Sequence, residues 1–298
     1  MPEAASPDPL EFAPHVDLPK EAHGPVGSGR ARYLLRFLAL GYLGLLLVAP
    51  VVMVFYRAFE PGLAAVWESI TAPDAMHAFW LTLVCVGVAV PLNTIFGVTS
   101  ALYIVRGKGR MRRVLDAIID LPFAISPVVV GLALVLVYGQ NGWFGESLTS
   151  AGFQVIFSLP GMILATTFVC LPFVAREVIP VLREIGDEQE QAAHVLGAGN
   201  WQTFWRVTLP AIRWGVGYGV VLTTARALGE FGAVAVVSGK ILGETETATL
   251  LVENRFNQFD VAGAYAASVV LAIAALIVIL SMTLLQRRTA STSEEEQE

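Results

Sequence analysis

Apolar residues collect into six long blocks, over 33–56, 77–105, 114–138, 159–182, 211–238 and 261–285. Each is too long for a core strand, and each reaches the roughly 20 residues that a helix needs to cross a hydrocarbon layer. Lipid cannot satisfy open strand edges, so the blocks predict helices. The short alternating segments of a membrane barrel are not seen. The pattern therefore predicts an all-α, polytopic membrane protein with six spans. Pro91, Pro122, Pro127, Pro172 and Pro180 fall inside the blocks, where a missing backbone donor predicts kinks. Gly215 and Gly219 form a G-x-x-x-G in the fifth block, which predicts close helix contact.

The polar intervals predict the topology. Lys20, Arg30, Arg32, Arg36, Arg106, Lys108, Arg110, Arg112, Arg113, Arg176, Arg183, Arg206, Arg213, Arg287 and Arg288 fall to one side, and only Arg57, Lys240 and Arg255 to the other. Basic residues stay on the cytoplasmic side, so both termini are expected there. The basic turn around Gly107–Met111 is read as a topology determinant that meets lipid headgroups. Residues 1–30 carry six prolines among scattered acids and predict a disordered cytoplasmic tail. Residues 289–298, with Glu294, Glu295, Glu296 and Glu298, predict an acidic cytoplasmic tail. A transmembrane domain is left over 31–288.

Composition narrows the function. The 298 residues are 55% hydrophobic and only 15% charged, where soluble domains carry about a quarter charged residues. The net charge of −6, without any basic-aromatic surface, argues against nucleic acid. Cys85 and Cys170 both lie inside apolar blocks, and the four histidines, His15, His23, His77 and His194, lack ligand spacing. No metal site or disulfide framework is predicted. No G-x-x-x-x-G-K-[ST] loop exists, so the chain is not expected to bind or hydrolyse ATP by itself. A membrane-embedded enzyme finds no nucleophile–base or metal pattern. An ion-coupled secondary anion carrier would need central acids, for which Asp116, Asp120, Glu177 and Glu230 are the candidates.

The interval between the fourth and fifth blocks is too apolar and too patterned for an idle loop. Asp187 with Glu190 predicts a capping box and a short helix to Leu196. Gly197 and Gly199 predict its stop and a tight turn, and a second short helix is expected over 201–208, ending before Pro210. Ala192, Val195 and Leu196 share one face of the first helix, and Trp201, Phe204 and Trp205 one face of the second. Such a knob either meets a partner or lies against its own bundle and the lipid interface.

This stretch resembles the signature of ABC importer permeases, E-A-A-x-x-x-G followed nine residues later by I-x-L-P. Here it reads Gln191-Ala192-Ala193, then Gly197, then Val207-Thr208-Leu209-Pro210. Both spacings match, while Gln191 stands for the usual glutamate, with Glu190 beside it, and Val207 for the usual isoleucine. The resemblance implies a six-helix bundle of the ABC importer type. It also implies an ATPase-coupling loop built from Glu190, Gln191, Ala192, Ala193, Gly197, Trp201, Val207, Leu209 and Pro210. Residues 201–210, 224–240 and 243–247 are similar to sulfate/thiosulfate permeases, and the A-R-A-x-G-E-F-G core also to molybdate permeases.

The implied function is the transmembrane subunit of an ATP-driven importer of sulfate or thiosulfate, with molybdate or tungstate as the alternative cargo. The implied partners are a dimeric ABC ATPase that holds the ATP and magnesium, and a second permease subunit in a heterodimer. A periplasmic or lipid-anchored sulfate-binding protein and the lipid of a bacterial inner membrane complete the set. No cofactor is expected on this chain. Arg226 and Glu230 lie four residues apart in the fifth block, where buried charge costs roughly 2.5–3.5 kcal/mol per residue. They are expected either to line the translocation path or to form a structural ion pair.

Overall fold

The computed structural model describes the backbone of residues 29–295 and the side chains of 33–281. The tail expected over 1–30 falls outside the described residues except for its last two positions. The side chains of the tail expected over 289–298 fall outside them as well. Among the described residues every regular element is helical. The chain divides into two units, Met1–Val52 and Met53–Glu298.

The first unit holds α1 (Gly29–Leu43), a wide turn, Gly44–Val48, and the start of α2 (Ala49–Phe59), whose residues from Met53 onward belong to the second unit. Its leucine, tyrosine and phenylalanine side chains are exposed on every face, the pattern of a helix surrounded by apolar material. The wide turn has a local cause. Pro50 lacks an N–H and its ring clashes with the carbonyl four residues earlier. The Ala49 N–H reaches back to the Gly44 carbonyl, five residues away, and so shifts the hydrogen-bond register just before the proline.

The second unit contains α3 (Leu63–Thr71), α4 (Pro73–Arg106), α5 (Met111–Ala124), α6 (Pro127–Tyr138), α7 (Gly145–Ser150) and α8 (Leu159–Glu184). Then come α9 (Glu188–Val195), α10 (Asn200–Thr203), a second wide turn (Phe204–Thr208), α11 (Leu209–Leu228), α12 (Gly232–Val237), α13 (Ala248–Asn257) and α14 (Val261–Glu295). Helix α8 is the hub, packed on α4, α5, α6, α11 and α12. Small residues make this possible. A Cβ at Gly97 of α4 would stand 2.6 Å from Val174 Cβ, and one at Gly219 of α11 would stand 2.9 Å from Val174 Cα. Gly215 lies equally close to Val181, so the expected G-x-x-x-G contact forms, and α8 is its partner. One apolar cluster (Leu81, Val130, Met162, Val237, Leu250) surrounds the start of α8. Another (Val98, Ile119, Val178, Leu182, Ile212) surrounds its end.

Two of the six expected spans are broken. Tyr33–Phe59, Pro73–Arg106, Leu159–Glu184 and Val261–Ser281 are uninterrupted helices long and apolar enough to cross a bilayer. The third block is instead two helices, α5 and α6, bent by 111°. Pro127 opens α6, and the residue before it, Ser126, is extended, because a following proline disfavours helical backbone. The fifth block breaks at Gly229–Phe231, between α11 and α12. Pro91, Pro172 and Pro180 interrupt neither α4 nor α8.

Candidate functional site

At the end of α8, Gly186 adopts φ +64° and turns the chain into α9. The capping box expected from Asp187 and Glu190 does not form, since Asp187 makes no side-chain cap. Glu190 is drawn elsewhere, into a clamp. Its Oε2 lies 3.0 Å from Arg106 Nε at the end of α4, and its Oε1 accepts from Thr208 Oγ1 at 2.8 Å. Arg106 also donates to the Leu182 carbonyl at 3.4 Å and to the Gly186 carbonyl. One half-buried carboxylate thus ties α9 to the end of α4 and to the wide turn preceding α11. Charge-assisted bonds of this kind are about twice as strong as neutral ones.

Helix α9 ends in a Schellman cap. The Ala198 N–H reaches the Ala193 carbonyl at 3.0 Å, and the Gly197 N–H reaches His194 at 3.0 Å. Gly197 holds φ +88°, a left-handed conformation that glycine adopts without a Cβ penalty. Gly199 is extended and contributes no such conformation. Beyond the turn, the second short helix does not stop at Pro210. Residues 200–228 form a continuous helical path, and the wide turn Phe204–Thr208 absorbs the proline as its counterpart does before Pro50.

The predicted knob residues therefore come together at one place. Gln191, Ala192, Gly197 and Trp201 are exposed, whereas Ala193, Val207 and Leu209 are half-buried and Pro210 lies at the surface. Val195 and Leu196 are 87% and 88% exposed, an extreme for apolar side chains on a turn. Trp201 and Trp205 lean on half-buried Phe204, with ring centroids 5.5–6.1 Å apart. The clamp partners Arg106 and Thr208 were missed in the sequence. Their only signal was position, at the end of one span and inside the Val207–Pro210 signature.

The second predicted pair sits at the helix break. Arg226 Nη1 lies 2.7 Å from Glu230 Oε2, with side-chain exposures of 32% and 1%. Glu230 Oε1 accepts from the Ala233 N–H at 3.0 Å, in the first turn of α12, while its carbonyl accepts from Thr249 Oγ1. The carboxylate therefore serves a helix start, where negative charge is favoured.

Two further polar centres were not singled out in the sequence. Arg176 bridges α8 to α5 through Asp116 at 2.8 Å and Asp120 at 2.6 Å. Two of the acids a secondary carrier would use are thus already paired. Arg255 is a buried keystone, donating to Ser69 Oγ, the Gly263 carbonyl and Asp74. Beside it Glu246 accepts from Asn254 Nδ2 at 2.8 Å. Burial pushes the Glu246 carboxyl above its ordinary range and Asp74 adds to this, while Asn254 and Arg255 pull the other way. Among the described residues no group of His, Cys, Asp and Glu could hold a metal ion.

These features define a class: a multi-pass helical membrane protein in which α4, α5, α6, α11 and α12 pack on the hub helix α8 and which presents a clamped, exposed knob. A bacterial alginate ABC transporter has a similar chain fold, with a TM-score of 0.73 at 20% identity, covering 87% of this chain and 96% of that one. Residues 93–291 match the family of binding-protein-dependent transport system inner membrane components, and the chain belongs to that family. It is 51% identical to the sulfate transport system permease protein CysW of Synechocystis, over 92% of this chain and 97% of that one. It is 44% identical to CysW of Escherichia coli K12, over 85% and 87%. With E. coli CysT it shares 37% identity over 84% and 90%.

Proposed function

We propose that this chain is a membrane-spanning subunit of an ATP-driven sulfate importer and carries no catalysis of its own. The observation that carries the reading is the exposed, Schellman-capped knob clamped from beneath by Glu190. It occurs in a chain about half identical to proteins named as sulfate permeases. In this reading both termini and the knob face the cytoplasm, as the distribution of basic residues favours. Val195, Leu196 and the Trp201 ring enter a groove on an ATPase subunit that holds ATP and magnesium. Motion of that subunit passes through Glu190 to α4 and α11 together. A loaded binding protein docks on the opposite side. The similarity to both CysW and CysT supports a heterodimer with a related permease.

Gly197 tests the docking. Nothing lies within 4 Å of a Cβ built there, so a side chain disturbs the backbone conformation and an approaching partner but not the chain's own packing. The full assembly is co-expressed with its ATPase, partner permease and binding protein, and labelled sulfate uptake is followed in vesicles. Gly197→Asp should abolish ATP-dependent uptake while membrane expression persists. Uptake that needs no ATPase would overturn the importer reading. Uptake that molybdate supports and sulfate does not would move the cargo to molybdate.

A further inference from the structure

Asn93 is 0% exposed, inside a helix long and apolar enough to cross a bilayer. Among the described residues neither its Oδ1 nor its Nδ2 has a hydrogen-bond partner. An amide both donates and accepts, and leaving it unpaired away from water carries a cost that a leucine of the same branched shape does not. Asn93 therefore weakens the packing in which it sits. A buried polar group of this kind needs a reason.

The neighbouring contacts place Asn93 in one layer of the core. On one side α4, α8 and α11 meet at Val174, which stands against Gly97 and Gly219. On the other side Val86 of α4, Cys170 of α8 and Ala227 of α11 share an apolar cluster. Asn93 lies between Val86 and Gly97 along α4, and Thr223 lies midway between Gly219 and Ala227 along α11. Both are fully buried, so the two polar side chains belong to the layer between those contacts. Thr223 Oγ1 donates to the Gly219 carbonyl at 2.7 Å and keeps lone pairs that an amide N–H can use. In this arrangement the Asn93 amide does not use them. The helices that carry the two residues are also the two that Glu190 holds, α4 at its end and α11 at the turn before it.

We propose that Asn93 is a polar latch of the transport cycle, a reading that rests on the importer function proposed above. Unpaired in the arrangement described, it pairs with Thr223 when α4 and α11 slide past each other in the importer's second state. Small sliding of packed helices is one way in which a bundle switches. A group paired in only one of two packings shifts the population toward that packing.

The test uses the full assembly, with thermal unfolding and ATP-dependent sulfate uptake in vesicles measured on the same variants. Asn93→Leu removes the unpaired amide and keeps the shape. It should raise the melting temperature by about 2–4 °C and lower uptake about fivefold, with the ATPase still co-purifying. Higher stability with poorer transport is a split that a merely structural residue does not give. Thr223→Val should lower uptake to a similar extent at an unchanged melting temperature, and Thr223→Ser should retain uptake. Asn93→Leu/Thr223→Val should lose no more uptake than either change alone. If Asn93→Leu fails to assemble, Thr223→Val still decides, and full uptake by that variant would overturn the proposal. An unchanged or lower melting temperature in Asn93→Leu would overturn it too, being the result expected when an internal water already satisfies the amide. Absence of uptake in the wild type sinks the importer reading and the latch with it. Wild-type uptake without the stability gain sinks the latch alone.

Discussion

Glu190 and Glu230 are both acids that the sequence brought forward, and in each case the structure turns the carboxylate inward. Glu230 shows what that implies for Arg226. Its carboxylate holds the first turn of α12 as well as the guanidinium, so Arg226→Gln strands a buried charge, a change that costs about 3–5 kcal/mol. Arg226→Gln should therefore fail to assemble. Arg226→Gln/Glu230→Gln keeps an acceptor for Ala233 and should recover both assembly, read by size-exclusion chromatography, and sulfate uptake. Recovered assembly without uptake would instead assign Arg226 to the anion path. Glu246 gives a pH-dependent case outside the membrane-spanning segments. Its pKa is raised on folding, so the folded chain binds the proton more tightly than the unfolded one. Stability is then highest in acid, falls as pH rises from the ordinary carboxylate range through the raised value, and carries the full penalty above it. Glu246→Gln should raise the melting temperature at neutral pH, by an amount corresponding to about 1 kcal/mol. That gain should vanish on acidification in a thermal unfolding series.

Among the elements, the apolar blocks were legible as helices because length and hydropathy alone decide that a segment favours lipid. Their interruptions were less legible. Pro127 broke its block, whereas Pro91, Pro172 and Pro180 did not, so a proline inside an apolar block does not by itself predict a break. The second knob helix was expected to end at Pro210 for the same reason. The wide turns before Pro50 and Pro210 show how a helix passes a proline by shifting register one residue early. The glycine contacts were partly legible, with Gly215 and Gly219 visible as a motif and Gly97 not, since a lone glycine carries no spacing. Gly97 makes the tightest approach to Val174. Gly97→Val should overpack the α4–α8 seam, costing 1–3 kcal/mol or more, and should lower the yield of monodisperse protein. The same change at Gly217, which has open space around it, should be far milder.

For the molecule as a whole, the knob was legible as a site because its signature is long and correctly spaced, whereas the clamp beneath it was not. Arg106 and Glu190 are 84 residues apart, and no single-sequence pattern links them. The clamp ties α9 to the end of α4 and to the wide turn before α11. Glu190→Ala leaves the Arg106 guanidinium half-buried without its anion, a loss of about 1.5–3 kcal/mol. It should lower sulfate uptake on the order of tenfold while the ATPase still binds, as judged by co-purification. The bend between α5 and α6 has a consequence for how the protein is made. The halves have 14 and 12 residues, so at 1.5 Å per residue they are about 21 and 18 Å long, against a hydrocarbon layer of roughly 30 Å. Neither can be released into lipid as a finished span when it leaves the ribosome. The closest support for α6 comes from α12, where Gly131 and Gly232 bring the two backbones together, and α12 is not synthesised until residue 232. A nascent chain that stops before residue 232 therefore lacks the helix on which α6 packs most closely.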